Sequence, residues 1–149
     1  MIYRLPFPIL LILFSCLLSA GCSIPGLGPQ SPDLTGITWV LVSYNNGGDR
    51  FVPAPLTAEI TLFFGPDGRV HGNAGCNDYS GTYRLNGGLI TIGPLAATEK
   101  YCLSPEGVMD LEQHYLSLLQ QTTRYHVDGD NLVLSYYDTT RLLVFRKTG

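Results

Sequence analysis

The sequence predicts a β-dominated α+β domain: an antiparallel, strongly curved sheet or small barrel with one amphipathic helix. Three observations carry this. Beyond Leu34 most of the chain alternates apolar and polar residues with period two, glycine-bearing turns separate the alternating runs, and a single stretch keeps its apolar residues at helical spacing.

The elements follow in order. ITWVLVSY (Ile37 to Tyr44) is rich in β-branched and aromatic residues and ends at NNGGD, a strong turn signal. Ala58, Ile60, Leu62 and Phe64 then share one face, while Glu59 and Thr61 share the other with Phe63 as the apolar exception, which predicts a half-buried strand. GPDG (Gly65 to Gly68) joins that strand to RVHGNA, and NGG (Asn86 to Gly88) joins GTYRL to LITI, so two hairpins are expected. RYHV, NLVLSYY and RLLVF close the chain as a terminal meander, with DGDN (Asp128 to Asn131) as its first turn and DTT near its second. Seven or so strands result. One segment departs from the pattern: Ser104 can cap, Pro105 suits a first helical position, Glu106 favours the N-terminal dipole, and Val108, Leu111, Tyr115 and Leu118 recur at helical spacing. A helix running to about Gln121 is predicted. No internal repeat of fixed period is present.

The N-terminus reads as targeting rather than fold. Met1 to Arg4 is weakly positive, Leu5 to Leu18 is almost wholly apolar, and LSAGC brings small residues up to Cys22, which is signal-peptide grammar. The apolar run falls short of the roughly 18 uninterrupted residues of a spanning helix, and Pro6 and Pro8 disfavour helix in its early part. SAGC resembles the bacterial lipobox, in which cleavage precedes a cysteine that is then acylated, and this implies lipidation of Cys22 and membrane attachment through its acyl chains. Ser19 stands where that pattern usually has Leu. LFSC, ending at Cys16, fits less well because Phe14 occupies a small-residue position. The following SIPGLGPQSPDLTG, with Pro25, Gly26, Gly28, Pro29 and Pro32, cannot build a core and behaves as a tether. The expected organisation is a lipoprotein signal peptide at 1–21, a tether at 22–33 and a domain at 34–149, whose roughly 115 residues suffice for one hydrophobic core.

Loss of the signal peptide removes Arg4 and takes the formal net charge from −3 to −4, which argues against a nucleic-acid partner or a polybasic membrane patch. Among the cysteines, Cys16 leaves with the signal and Cys22 carries lipid. Cys76 and Cys102 remain as an even pair, which in an exported protein reads as a disulfide. Closing a loop of about 25 residues would add roughly 3 kcal/mol in the chain-entropy picture.

GNAGCNDYSGTY (Gly72 to Tyr83) concentrates the special residues. Gly72, Gly75 and Gly81 supply positive φ or close backbone approach, Asn77 and Asp78 can bond their own backbone in Asx-type turns, and Tyr83 resumes the strand. With Tyr79 these are the candidate motif or binding residues. A thiol nucleophile at Cys76 would need His71, His114 or His126 as base and an orienting carboxylate, and no recognised constellation supplies them, so no catalytic residue is assigned. His71 and His126 read as surface or rim residues. Zinc on Cys76, Cys102 and a histidine lacks the usual close ligand spacing, and DGDN lacks the bidentate glutamate of a calcium loop, so neither metal nor cofactor is expected. Glu106, Asp110 and Glu112 read as a solvated acidic helix face. Tyr79, Tyr83, Tyr101, Tyr136 and Tyr137 read mostly as core or cross-strand packing; the other reading has them rim a groove for a peptide, a lipid chain or a cell-wall component.

GNAGCNDYSGTY also resembles the signature of the META domain family, which includes HslJ-like bacterial lipoproteins. LTGITWVLVSY is similar to the family's opening strand, ITLFFGPDGRVHG to its second hairpin, ATEKYC to its Thr-x-x-x-Cys element, MDLEQHYLSLL with Glu112 and Leu119 to its helix, and DGDNLVLSYYDTTRLLVF to its final strands. The likeness spans Leu34 to Phe145. It implies the fold above, no catalytic residues, and a non-enzymatic cell-envelope lipoprotein with a binding or structural role linked to envelope stress. Its partners would be the membrane, through Cys22, and an unknown envelope protein or small ligand. Ser23, in place of the aspartate associated with inner-membrane retention, implies the outer membrane in a Gram-negative cell and the outer face of the cell membrane otherwise. The alternative is a ligand- or partner-binding small-barrel module, such as an envelope-protease inhibitor or a lipid-holding pilot protein. A continuous tyrosine-lined apolar groove favours that alternative, and a fully packed interior favours structural support.

Overall fold

The computed structural model describes residues 33–47, 50–137 and 140–149. The expected signal peptide and all but the last residue of the expected tether lie outside the described residues, as do Gly48 and Asp49 of the first turn and Asp138 and Thr139 of the last. The chain forms β1 (Thr38–Asn45), β2 (Phe51–Pro53), β3 (Thr61–Phe64), β4 (Arg69–Asn73), β5 (Asp78–Asn86), β6 (Leu89–Ile92), β7 (Ala96–Ala97), α1 (Val108–Gln121), β8 (Arg124–Asp128), β9 (Asn131–Tyr136) and β10 (Thr140–Lys147). Every strand pair is antiparallel, in the order β10-β9-β8-β6-β5-β4-β3-β1, and β10 returns to pair with β1. The result is a closed 8-strand barrel, with β2 added beside β1 and β7 beside β5. The two added strands are the ones the alternation missed. Pro53 ends β2 after three residues, and β7 is two alanines, a type depleted in strands.

Period two places the core as expected. Ala58, Ile60, Leu62 and Phe64 are all buried; the last three are joined inside the barrel by Trp39, Val70, Ile90, Leu132, Leu134, Leu143 and Phe145, while Ala58 packs with Cys76 and Val108. Trp39 Nε1 donates to the Leu34 carbonyl at 3.1 Å, so the largest core side chain also satisfies its polar atom. Closure by β10 removes the long unpaired edges an open sheet would present. β6 and β8 meet only briefly, at Leu89 opposite Arg124, and α1 lies on the connection between them.

The helix begins later than the sequence suggests. Gly107, at φ 78, is the residue before the first helical turn, and no side chain caps it. A left-handed residue cannot sit inside an α-helix, so Ser104, Pro105 and Glu106 form a turn ahead of α1 rather than its first turn. Val108, Tyr115, Leu118 and Leu119 face inward. His114 Nε2 lies 2.7 Å from the Asn45 carbonyl at the end of β1, and Tyr115 meets Tyr79 at the start of β5 and Phe145 of β10, so α1 lies across one mouth of the barrel.

Candidate functional site

The signature stretch runs from the end of β4 into β5, and its glycines divide the two roles expected of them. A Cβ on Gly72 would overlap the Thr61 carbonyl oxygen of β3, so only hydrogen fits there. Gly75 holds φ 112, a conformation L side chains rarely adopt, and this turns the chain toward α1. Gly81 is packed under Leu95 and the Pro94 carbonyl. The Asx turn belongs to Asn73, whose Oδ1 accepts from Gly75 N at 2.8 Å, and not to Asn77 or Asp78.

Asn77 is instead the centre of an inward network. Its Nδ2 donates to Glu112 Oε1 at 2.8 Å and to the Lys100 carbonyl at 3.1 Å. Its Oδ1 accepts from Thr98 Oγ1 at 2.6 Å and Lys100 N at 2.7 Å. Both donors and both acceptor positions of the amide are therefore used, inside a residue only 2 % exposed. Glu112 completes the set: Oε2 accepts from Asn77 N at 2.6 Å and Cys76 N at 3.3 Å. The Cys76 and Cys102 sulfurs are bonded, with Cα atoms 6.0 Å apart, and fasten the same loop to the 98–102 segment.

Glu112 thus leaves the solvated acidic face assigned to it. Glu106 and Asp110 are exposed, but Glu112 is buried because it lies in register with Val108, Tyr115 and Leu119 on the inward stripe. That register was the available signal: a carboxylate four residues after one core position and three before another faces the core. Asp78 does reach solvent. Hydrogen bonds from Asn73 and then Lys100, with the Lys100 charge, hold its carboxyl below the usual range. The exposed Lys100 pair, 3.3 Å long, is worth little.

The tyrosines do not rim one groove. Tyr79 and Tyr83 are core residues, and Tyr83 Oη donates to the Gly65 carbonyl at 2.7 Å. Tyr101, Tyr136 and Tyr137 are exposed. Tyr79 Oη donates to the Thr61 carbonyl at 2.9 Å, so its contact with Tyr115 Oη at 2.7 Å must be a donation from Tyr115. Burial raises the pKa of both well above the ordinary tyrosine value of 10.0. In the unfolded chain they ionise at that ordinary value while the folded chain keeps them neutral. Stability is therefore fully present below it and is lost as pH rises beyond it. Thermal unfolding followed from pH 10.0 upward should show a falling midpoint, and Tyr115→Phe should flatten that slope; an unchanged slope would contradict the assignment.

His71 and His126 are exposed, and His71 stacks on Phe63. With its sulfur in a disulfide, Cys76 offers no thiolate to a histidine base or to zinc. Among the described residues no group of three His, Cys, Asp or Glu side chains could hold a metal ion, and no helix is long and apolar enough to cross a membrane.

The concave surface lies elsewhere, along the outside of β1. β1 gains a residue against β10 between Leu41 and Ser43, a bulge at Val42. Val42 points outward by its alternation with buried Trp39 and Leu41, and its carbonyl accepts from Ala54 N at 2.8 Å, holding the segment after β2 as a wall. Between wall and strand lies a cleft of about 820 Å³ whose surface is mostly carbon, from Val40, Val42, Pro53, Pro55 and Leu56. Leu56 stands at its lip fully exposed. Sequence reasoning missed this site because a short strand ending in proline, followed by PAPLT, reads as loop; the isolated Leu56 among small and proline residues was the available sign.

The same architecture recurs in solved structures. A protein from Burkholderia xenovorans, solved by NMR, is 27% identical with a TM-score of 0.64 over 77% of this chain and 83% of that one. A second NMR structure, 22% identical, gives 0.58 over 79% and 95%, and a DUF4847 family protein from Bacteroides vulgatus, 15% identical, gives 0.56 over 76% and 93%. The last two show likeness of fold alone. No curated protein matches the chain. The META domain family model matches residues 32–149, the span that holds the barrel, its helix and the Asn77 loop; the chain belongs to the META domain family.

Proposed function

We propose that this chain is a non-enzymatic binding domain of the cell envelope, displayed from a lipid on Cys22 by the 22–33 tether, active under envelope stress, with the cleft along β1 as its binding face. One contrast carries the reading. The signature loop spends the Asn77 amide inward and the Cys76 sulfur in the bond to Cys102, whereas carbon surface is left outward at Val42 and Leu56. A rimmed apolar concavity on a rigid scaffold is what a binding site requires. A second reading has the disulfide-fastened 98–107 loop dock a protein partner, and Tyr101 and Leu103, 79% and 82% exposed, favour it.

One set of variants tests these readings in intact cells. Cys22→Ala should move the protein from the membrane fraction to the soluble fraction, and the mass of the mature wild-type chain should include acyl groups. A photo-crosslinking side chain at residue 42 should form a discrete adduct that one at the exposed Leu89 does not. An adduct from residue 103 alone would transfer the binding face to the loop. Equal labelling at all three positions would sink both readings.

A further inference from the structure

We infer that the β1 cleft takes the hydrocarbon chain of a single-chain amphiphile with a monoanionic head, of the fatty-acid class, with the carboxylate at Arg146. The inference rests on the cleft being the binding face and adds the chemistry of what it binds. Volume comes first: about 820 Å³ falls within the range of small-molecule sites.

The backbone decides between a peptide and an alkyl chain. An added peptide strand needs unpaired N–H and C=O groups at a sheet edge. Along the β1 side of the cleft several are used or missing. Val40 pairs with Arg146 on one side and Thr61 on the other, Leu41 N donates to Ile60 O, and Ala54 N donates to Val42 O. Pro53 and Pro55 have no N–H at all. The lining is mostly carbon, which suits a chain that asks for no hydrogen bonds.

Charge decides the head. Arg146, Lys147 and Glu59 are the charged residues lining the cleft. Lys147 Nζ already meets Asp130 Oδ1 at 2.7 Å, and Arg146 has no ion-pair partner among the described residues. An exposed guanidinium beside an apolar floor matches a carboxylate bidentately. Glu59 adds one negative charge to the same lining, which disfavours a dianionic head.

The test uses the full chain with Cys22→Ala, so that its own acyl groups do not compete, titrated by calorimetry with dodecanoate below its micelle concentration. Saturable one-to-one binding is expected. Val42→Asp should weaken it at least about tenfold by placing charge on the apolar floor, and Val42 is 38% exposed, so the core is untouched. Arg146→Gln should weaken dodecanoate about tenfold and leave uncharged dodecyl maltoside unchanged, the size of one charge-assisted hydrogen bond. Glu59→Gln should tighten dodecanoate.

Equal affinity for the two detergents, with no effect of Arg146→Gln, overturns the anionic head. Absence of saturable dodecanoate binding, or saturation by an alternating apolar peptide instead, overturns the ligand class. The in-cell adduct at residue 42 separates that failure from failure of the underlying reading: if it persists, the cleft still binds something else, and if it is absent, both fall.

Discussion

Glu112→Ala should destabilise the domain by about 3–5 kcal/mol, because it leaves three buried donors without their charged acceptor. Those donors are Cys76 N, Asn77 N and Asn77 Nδ2, all served by one carboxylate. Hydrogen bonds to a carboxylate are the strong ones, and here both Glu112 and Asn77 are buried. Glu112→Gln keeps one acceptor oxygen and turns the other into a donor facing a donor, so it should lose about half as much. Asp110→Ala, on the exposed side of the same helix, should stay within about 0.5 kcal/mol. Urea unfolding at neutral pH reads all three as shifts in midpoint at constant slope. A loss below about 1 kcal/mol for Glu112→Ala would mean that the network is not what holds the loop.

The second large effect belongs to the disulfide. Replacing both Cys76 and Cys102 by Ser should lower stability by about 3–4 kcal/mol, as expected for opening a loop with a sequence separation of 26. In a domain of this size that is a fall in melting temperature of roughly 10–20 °C. Calorimetry with and without reductant measures it, and a loss under about 1 kcal/mol would show that the Asn77 bonds to Thr98 and Lys100 hold the segment unaided. The two effects should not add. Both act on Cys76, so a double-mutant cycle with Glu112→Ala should give an interaction energy of at least about 0.5 kcal/mol.

The fold was legible wherever a pattern repeats. Ala58, Ile60 and Leu62 alternate with Glu59 and Thr61, and Asn86 to Gly88 announce a hairpin, because strand period and turn chemistry are local properties that short stretches carry in full. The candidate site was legible in position and not in direction. Gly72, Cys76 and Asn77 stood out by residue type, yet whether Asn77 faces a ligand or Glu112 depends on a helix 35 residues away. Glu112 was misread for the same reason: acidic side chains are ordinarily solvated, and only its register with Val108 and Tyr115 contradicts that. The cleft had no periodic signature. It lies between β1 and the segment after β2, whose Ala54 N reaches the Val42 carbonyl, and that juxtaposition is visible only once β2 lies beside β1.

Pairing of β10 with β1 has a consequence for how the chain is made. Trp39 has Lys147 as its partner across the ladder, 108 residues further along (147 − 39). The barrel therefore cannot shut until β10 is made, and every intermediate before that has β1 without β10, one of the three strands it pairs with. Such a polypeptide stays threadable until its last strand is released. Completion is timed by β10, and a chain lacking that strand would keep the open, unpaired sheet that the closed barrel avoids.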